Sequence, residues 1–112
     1  MGINWQKEFS AAITICDKGG KIIEMNEKAA DMFRDDGGRE LIGKNIFDCH
    51  NEQSNKIIKE LITENKSNTY TIEKNGIKKF IYQSPWYENN ELKGLVEIVF
   101  QIPFEIPNHI RS

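Results

Sequence analysis

The stretch Gly20–Gly43, GKIIEMNEKAADMFRDDGGRELIG, constrains this chain more than any other. It reads as a short apolar strand, an asparagine, a small amphipathic helix, a glycine-rich break and a second helical turn. Just upstream, Ala12–Cys16 (AITIC) is an apolar strand and Asp17-Lys18-Gly19-Gly20 is a strong turn. Lys21–Met25 therefore returns as the second strand of a hairpin. Asn26 fits a helix N-cap, and Glu27 puts a carboxylate in the first turn, where the helix dipole favours it. Ala29, Ala30, Met32 and Phe33 give the helix one apolar face. Asp35–Gly38 breaks it, Arg39–Ile42 makes one more helical turn, and Gly43 supplies the permissive C-terminal position.

The remaining elements follow from the same signals. Asn4–Ser10 predicts a short helix with Trp5 and Phe9 on one face. Asn51–Glu64 predicts the one long helix, with Ile57, Ile58, Leu61 and Ile62 in a single stripe; Asp48, His50 and Asn51 are alternative caps. Asn68–Lys74 leads to Asn75-Gly76, a strong hairpin signal because both residues tolerate positive φ. Ile77–Tyr87, a polar turn at Glu88–Asn90 and the apolar strand Lys93–Ile102 follow. Pro103 and Pro107 end the ladder because proline cannot donate to it, and Phe104–Ser112 reads as irregular. The order β-β-α-α-α-β-β-β, with hairpin-type turns, predicts an α+β fold: a five-stranded antiparallel sheet with a helical cap on one face. A single domain spanning 1–112 is expected, with its core at about 11–102, an N-terminal segment 1–10 and a tail 103–112. A cavity would form between cap and sheet.

Composition narrows the function. Of the 112 residues, 38% are hydrophobic and 29% charged, a globular balance. A net charge of −2 disfavours a nucleic-acid backbone binder. No apolar run is long enough for a membrane span, and the N-terminus lacks a signal-peptide pattern. The expected location is cytoplasmic, with Cys16 and Cys49 as free thiols. No phosphate loop or dinucleotide fingerprint occurs.

The element order resembles that of a PAS (Per-Arnt-Sim) domain over about Ala11–Ile102. The residues that carry the resemblance are Asp17 and Gly20, Ile22-Ile23 before Asn26, Ala29, Ala30 and Phe33, Leu41-Ile42-Gly43-Lys44, and Gly94 before an apolar strand. The segment Gly43–Ser54 (GKNIFDCHNEQS) looks like a bacterial sensor-type subgroup with Cys-His before the long helix. The resemblance implies sensing or docking and names no ligand. It also allows two cofactor positions to be checked. The flavin-adduct cysteine of blue-light domains falls at Ile46, and the haem-ligating histidine of the rhizobial type falls near Ile58, which disfavours both chemistries. Haem held through His50 would need a different geometry.

The candidate pocket residues are Phe33, Ile42, Phe47, Cys49, His50, Ile58, Leu61, Tyr70, Tyr82 and Glu97. His50, at the start of the long helix, would present an imidazole to a cavity and suit an anionic ligand, or would be a capping or surface residue. Cys49 beside it is either a thiol of lowered pKa or a small buried hydrophobe. Cys49-His50 lacks the further ligands a metal site needs. Glu97 interrupts an apolar strand and by alternation shares a face with Leu95 and Val99. A semi-buried carboxylate there needs a partner: His50, Tyr82, a ligand cation or a rim lysine. Tyr70, Tyr82, Gln83, Trp86 and Tyr87 supply sheet core, pocket wall or a dimer patch. Met32, Phe33, Ile42, Phe47, Ile58 and Leu61 form the cap side. Ser54 lies four residues after His50 but has no visible carboxylate to complete a triad.

Three readings follow. The first is a PAS-type sensory module that binds a small ligand between sheet and helices, contacts a partner protein, or does both. Its partners would be a second copy of itself or a signalling protein. The second is a ligand-free interaction module. The third is a small enzyme using His50 and Glu97 as an acid–base pair.

Overall fold

A computed structural model describes residues 2–48 and 50–112; Met1 and Cys49 lie outside the described residues. Five strands form one antiparallel sheet: β1 (Ala12–Asp17), β2 (Ile22–Met25), β3 (Asn68–Lys74), β4 (Ile77–Glu88) and β5 (Glu91–Ile102). Their order across the sheet is β2-β1-β5-β4-β3, every neighbour antiparallel. Between β2 and β3 the chain runs through helix α1 (Glu27–Met32), 3-10 turns at Arg34–Asp36, Gly38–Leu41 and Ile46–Asp48, and helix α2 (Glu52–Glu64). These pack on one sheet face.

Capping explains the helix starts. Asn26 accepts from the Ala29 N–H, and Asn51 accepts from the Ser54 N–H. Asn51 is therefore the cap of α2, and Asn65 ends that helix in the left-handed region at φ 55°. Both long hairpins turn on residues of positive φ: Asn75 with Gly76, and Asn89 with Asn90. Such turns match the twist of the flanking strands. The second turn lets Glu91 and Leu92 join β5, two residues earlier than the polarity of the sequence suggests.

Asn4–Ser10 is not a helix. It makes a hydrogen-bonded turn over residues 5–8 and is otherwise irregular. Its carbonyls are committed elsewhere: Gln6 O accepts from Asn26 Nδ2 at 2.9 Å, and Lys7 O from the Glu27 N–H at 3.0 Å. Trp5 and Phe9 still meet edge to face, with centroids 5.3 Å apart.

Two glycines are fixed by close approach. A Cβ at Gly94 would lie 1.9 Å from the carbonyl oxygen of Cys16, which accepts the Trp86 indole N–H at 3.1 Å. A Cβ at Gly20 would lie 2.5 Å from the Phe47 ring.

The core divides in two. One cluster joins Ala12, Ile22, Met25, Ala29, Ile81 and Val99, with Met32, Phe33, Leu41 and Ile46 packed against it. The other joins Cys16, Ile58, Leu61, Ile62 and Leu95, with Ile46, Phe47 and Leu92 against it. Full burial of such side chains contributes about 1.5–3 kcal/mol each. What separates the clusters on the sheet face is a row of polar residues.

Candidate functional site

Register creates that row. Thr14 pairs with Glu97, Glu97 with Gln83, and Gln83 with Asn68. Paired residues of neighbouring strands share a face, so four polar side chains cross β1, β5, β4 and β3 in line. The row to one side is Ala12, Val99, Ile81 and Tyr70; the row to the other begins Cys16, Leu95 and Pro85. Asn68 Nδ2 donates to Gln83 Oε1 at 3.0 Å, and Gln83 Nε2 donates to Glu97 Oε2 at 2.9 Å. The donors therefore point along the row and end on a carboxylate, where a hydrogen bond is strengthened by charge.

A cavity of about 470 Å³ opens on this row. Its sheet wall is Thr14, Cys16, Gln83, Leu95 and Glu97; its cap side is Phe33, Leu41, Ile46 and Ile58, with Ile22 and Met25 at the β2 end. Asp36, Lys44 and His50 also line it, and all three are exposed. Glu97 is half-buried and Gln83 only 7% exposed.

Of the residues expected from sequence, Phe33, His50, Ile58 and Glu97 come together around this cavity. Ile42 is exposed and lines a different depression, beside Arg39 and Asn26. Phe47 packs under Gly20 with the Lys59 ammonium over its ring, 5.0 Å from the centroid. Leu61 is buried in the second core cluster. Tyr70 shares the inner face, on the edge strand, beyond the cavity wall; burial and then the charge of Glu97 push its phenol up. Tyr82 pairs with Ile98 and stands on the opposite face, away from Glu97. Cys49 lies outside the described residues.

The partner of Glu97 is Gln83, not His50 or Tyr82. His50 spends Nδ1 on the Ile46 carbonyl at 2.7 Å, and no hydrogen bond joins it to Glu97. It precedes α2 by two residues, beside the Asn51 cap and the Glu52 carboxylate at the helix start. Cys16 faces the cavity with its thiol pushed up to about 11 by burial, helped by the charges of Asp17 and Glu97 and opposed by a backbone N–H from Leu95. It stays protonated and unreactive near neutrality. Ile46 and Ile58, at the positions checked for flavin adduct and haem ligation, are both cavity wall. Their hydrocarbon side chains offer no atom for either bond. Among the described residues no three His, Cys, Asp or Glu side chains gather as a metal site would need, and no helix is long and apolar enough to cross a membrane.

The outer face is different in kind. Phe80 and Phe100 stack at 5.3 Å, and Tyr82 and Phe100 are exposed.

Comparison with known proteins agrees with this architecture. No curated protein matches the sequence. Among solved structures, the PAS domain of histidine kinase ThkA superposes with a TM-score of 0.66 at 19% identity, covering 81% of this chain and 98% of that one. The Aer2 receptor of Vibrio cholerae, described as a dual PAS-heme oxygen sensor, gives 0.66 at 18% identity, covering 83% and 95%. A sensory box sensor histidine kinase of Vibrio cholerae gives 0.64 at 16% identity, covering 87% and 86%. These likenesses concern the fold; two of the three proteins named are histidine kinases and one is a receptor. The family model described as PAS domain matches residues 10–99, and the chain belongs to the PAS domain family.

Proposed function

We propose that this chain is a sensory module whose core, residues 11–102, binds a small molecule between sheet and helical cap. One observation carries the reading. The polar row Thr14–Glu97–Gln83–Asn68 divides the apolar core, and its first three members face a cavity, where apolar residues would have packed the interior more stably. Polar groups set in an otherwise apolar pocket are how small-molecule sites fix orientation. The cavity is of ligand size, and its apolar lining comes from both core clusters. A ligand seated there would touch Phe33 at the end of α1, Ile58 of α2 and the sheet, so binding would be felt by the elements that hold them together.

We read the site as binding rather than turning over its ligand. His50 and Glu97 are each engaged by a different neighbour, which does not support an acid–base pair. Native mass spectrometry with an absorption spectrum of freshly purified protein tests the binding reading. A co-purifying small molecule supports it. Apo protein that gains no thermal stability from any member of a broad metabolite panel counts against it.

A second role is supported by the outer face. The Phe80–Phe100 stack, Tyr82, and the exposed Trp5 and Phe9 offer aromatic surface of the kind interfaces use. A second copy or a signalling protein would cover it. Sedimentation showing only monomer at high concentration would weaken the self-association version.

A further inference from the structure

The cavity's polar wall carries a chemical preference, and this inference rests on the binding role proposed above. Glu97 accepts one hydrogen bond, from Gln83 to Oε2. An ionised carboxylate has about four acceptor sites, so most of its capacity is unspent. No lysine, arginine or histidine forms an ion pair with it; the ion pairs among the described residues are Arg34–Asp31, Lys66–Glu64 and Lys93–Glu91, none of which includes a residue of the row. Lys44, His50 and Asp36 line the cavity from its exposed cap side, and none of the three forms an ion pair with Glu97. Opposite Glu97, the walls are hydrocarbon from Phe33, Ile46 and Ile58. Thr14, the pairing neighbour of Glu97, adds a hydroxyl to the same wall.

We infer that the cavity selects a compact apolar amine: an organic cation whose ammonium N–H groups bind Glu97 and Thr14 and whose hydrocarbon body fills the space against Phe33, Ile46 and Ile58. A half-buried carboxylate lacking a cation attracts a donor of positive charge and repels an anion of the same shape. The Gln83 amide, donating from the other side, holds the carboxylate in place and opposes its rotation away. A ligand carboxylate would meet Glu97 head on.

The test uses three probes of one shape: phenethylamine, phenylacetate and phenethyl alcohol, titrated at pH 7 into isotope-labelled protein and followed by NMR. The amine is expected to bind best, shifting the Gln83 side-chain amide signals and the Ile58 methyls, with phenylacetate at least about tenfold weaker. Glu97→Gln is expected to weaken the amine about tenfold or more and to leave the alcohol within about twofold. If Glu97→Gln fails to fold, Thr14→Val serves instead, with a smaller loss for the amine. Phenylacetate binding as tightly as the amine, or an amine affinity indifferent to Glu97→Gln, overturns the amine preference while binding of any probe in the cavity leaves the sensory reading standing. Failure of all three probes to shift cavity signals overturns the amine inference, while the sensory reading stands or falls on the co-purification and metabolite-panel test above.

Discussion

Asn26 and Gln83 are the two buried polar side chains among the described residues, and they are used in opposite ways. Asn26 spends everything. Its Nδ2 donates to Gln6 O and Ala11 O at 2.9 and 2.8 Å, and its Oδ1 accepts from Ile13 N and Ala29 N, both at 2.9 Å. One amide thereby caps α1, anchors β1 and holds the N-terminal segment. Gln83 spends half, accepting once from Asn68 and donating once to Glu97, and it faces a cavity. A fully satisfied buried amide specifies structure; a partly satisfied one beside open volume is a place where something else can bind. The scaffold and the candidate site are thus separable by hydrogen-bond accounting.

The strongest test of that separation is Asn26→Asp. It keeps the shape, but turns the donating nitrogen into an oxygen facing two carbonyls. The expected loss is about 3 kcal/mol or more, measured by urea denaturation, since two buried acceptors lose their donor and a charge is buried without a partner. A loss below about 1 kcal/mol would mean that the four bonds are not what ties the N-terminal segment to the cap.

Next in size is a pH effect that reports how dry the apolar side of the row is. Burial raises the Cys16 thiol from 9.0 to about 11 in the folded state. Its contribution to stability is complete below the unfolded value and is lost as pH rises through the folded one. Stability should therefore fall between about pH 9 and 11, by at most about 1.4 kcal/mol per pH unit from this group. Cys16→Ala should lose less over that interval. Denaturation curves with the same pH slope for both proteins would show that water reaches Cys16 as readily as it reaches the row.

The two amides were not equally legible in the sequence. The cap role of Asn26 follows from its place before an amphipathic run. Its bonds to Gln6, Ala11 and Ile13 do not, because they join residues 13 to 20 positions apart. Within Asn4–Ser10, the Gln6 and Lys7 carbonyls accept from Asn26 and Glu27 rather than from a continuing helix. Alternation along β5 correctly puts Glu97 on the face of Leu95 and Val99, but alternation says nothing about the strand alongside. Counting back from the Asn89-Asn90 turn would set Gln83 opposite Val96. The irregularity between Trp86 and Tyr87 skips Lys93 and moves the pairing to Glu97. A bulge shifts every pair beyond it; Gly94, beside the skipped Lys93, is a glycine inside a strand that marks such a place without giving the new register. The partners expected for Glu97 from sequence, His50, Tyr82, a ligand cation or a rim lysine, therefore do not include Gln83, which the register supplies. The cap-side residues Phe33 and Ile58 were readable from helical spacing; the polar wall needed the register.

Gln83→Leu probes the other side of the comparison. It joins the two apolar clusters and frees Asn68 and Glu97, both partly exposed and able to turn to water. These effects oppose each other, so denaturation should place the variant within about 1 kcal/mol of the parent. A loss matching that of Asn26→Asp would make Gln83 a second structural anchor and remove the distinction.

The smallest expected effect gives the finest discrimination. Glu97→Gln can keep the row intact, because its side-chain oxygen can accept the Gln83 N–H as the carboxylate does, so stability should change by no more than about 0.5 kcal/mol. Combined with Asn26→Ala, its effect should add without coupling beyond about 0.5 kcal/mol, since the two residues share no hydrogen-bond partner. A larger coupling in the double-mutant cycle would mean that β1, which carries both Ile13 and Thr14, transmits between the Asn26 node and the polar row. The scaffold would then feel the cavity directly, and a ligand at Glu97 would have a route through one strand to the N-terminal segment.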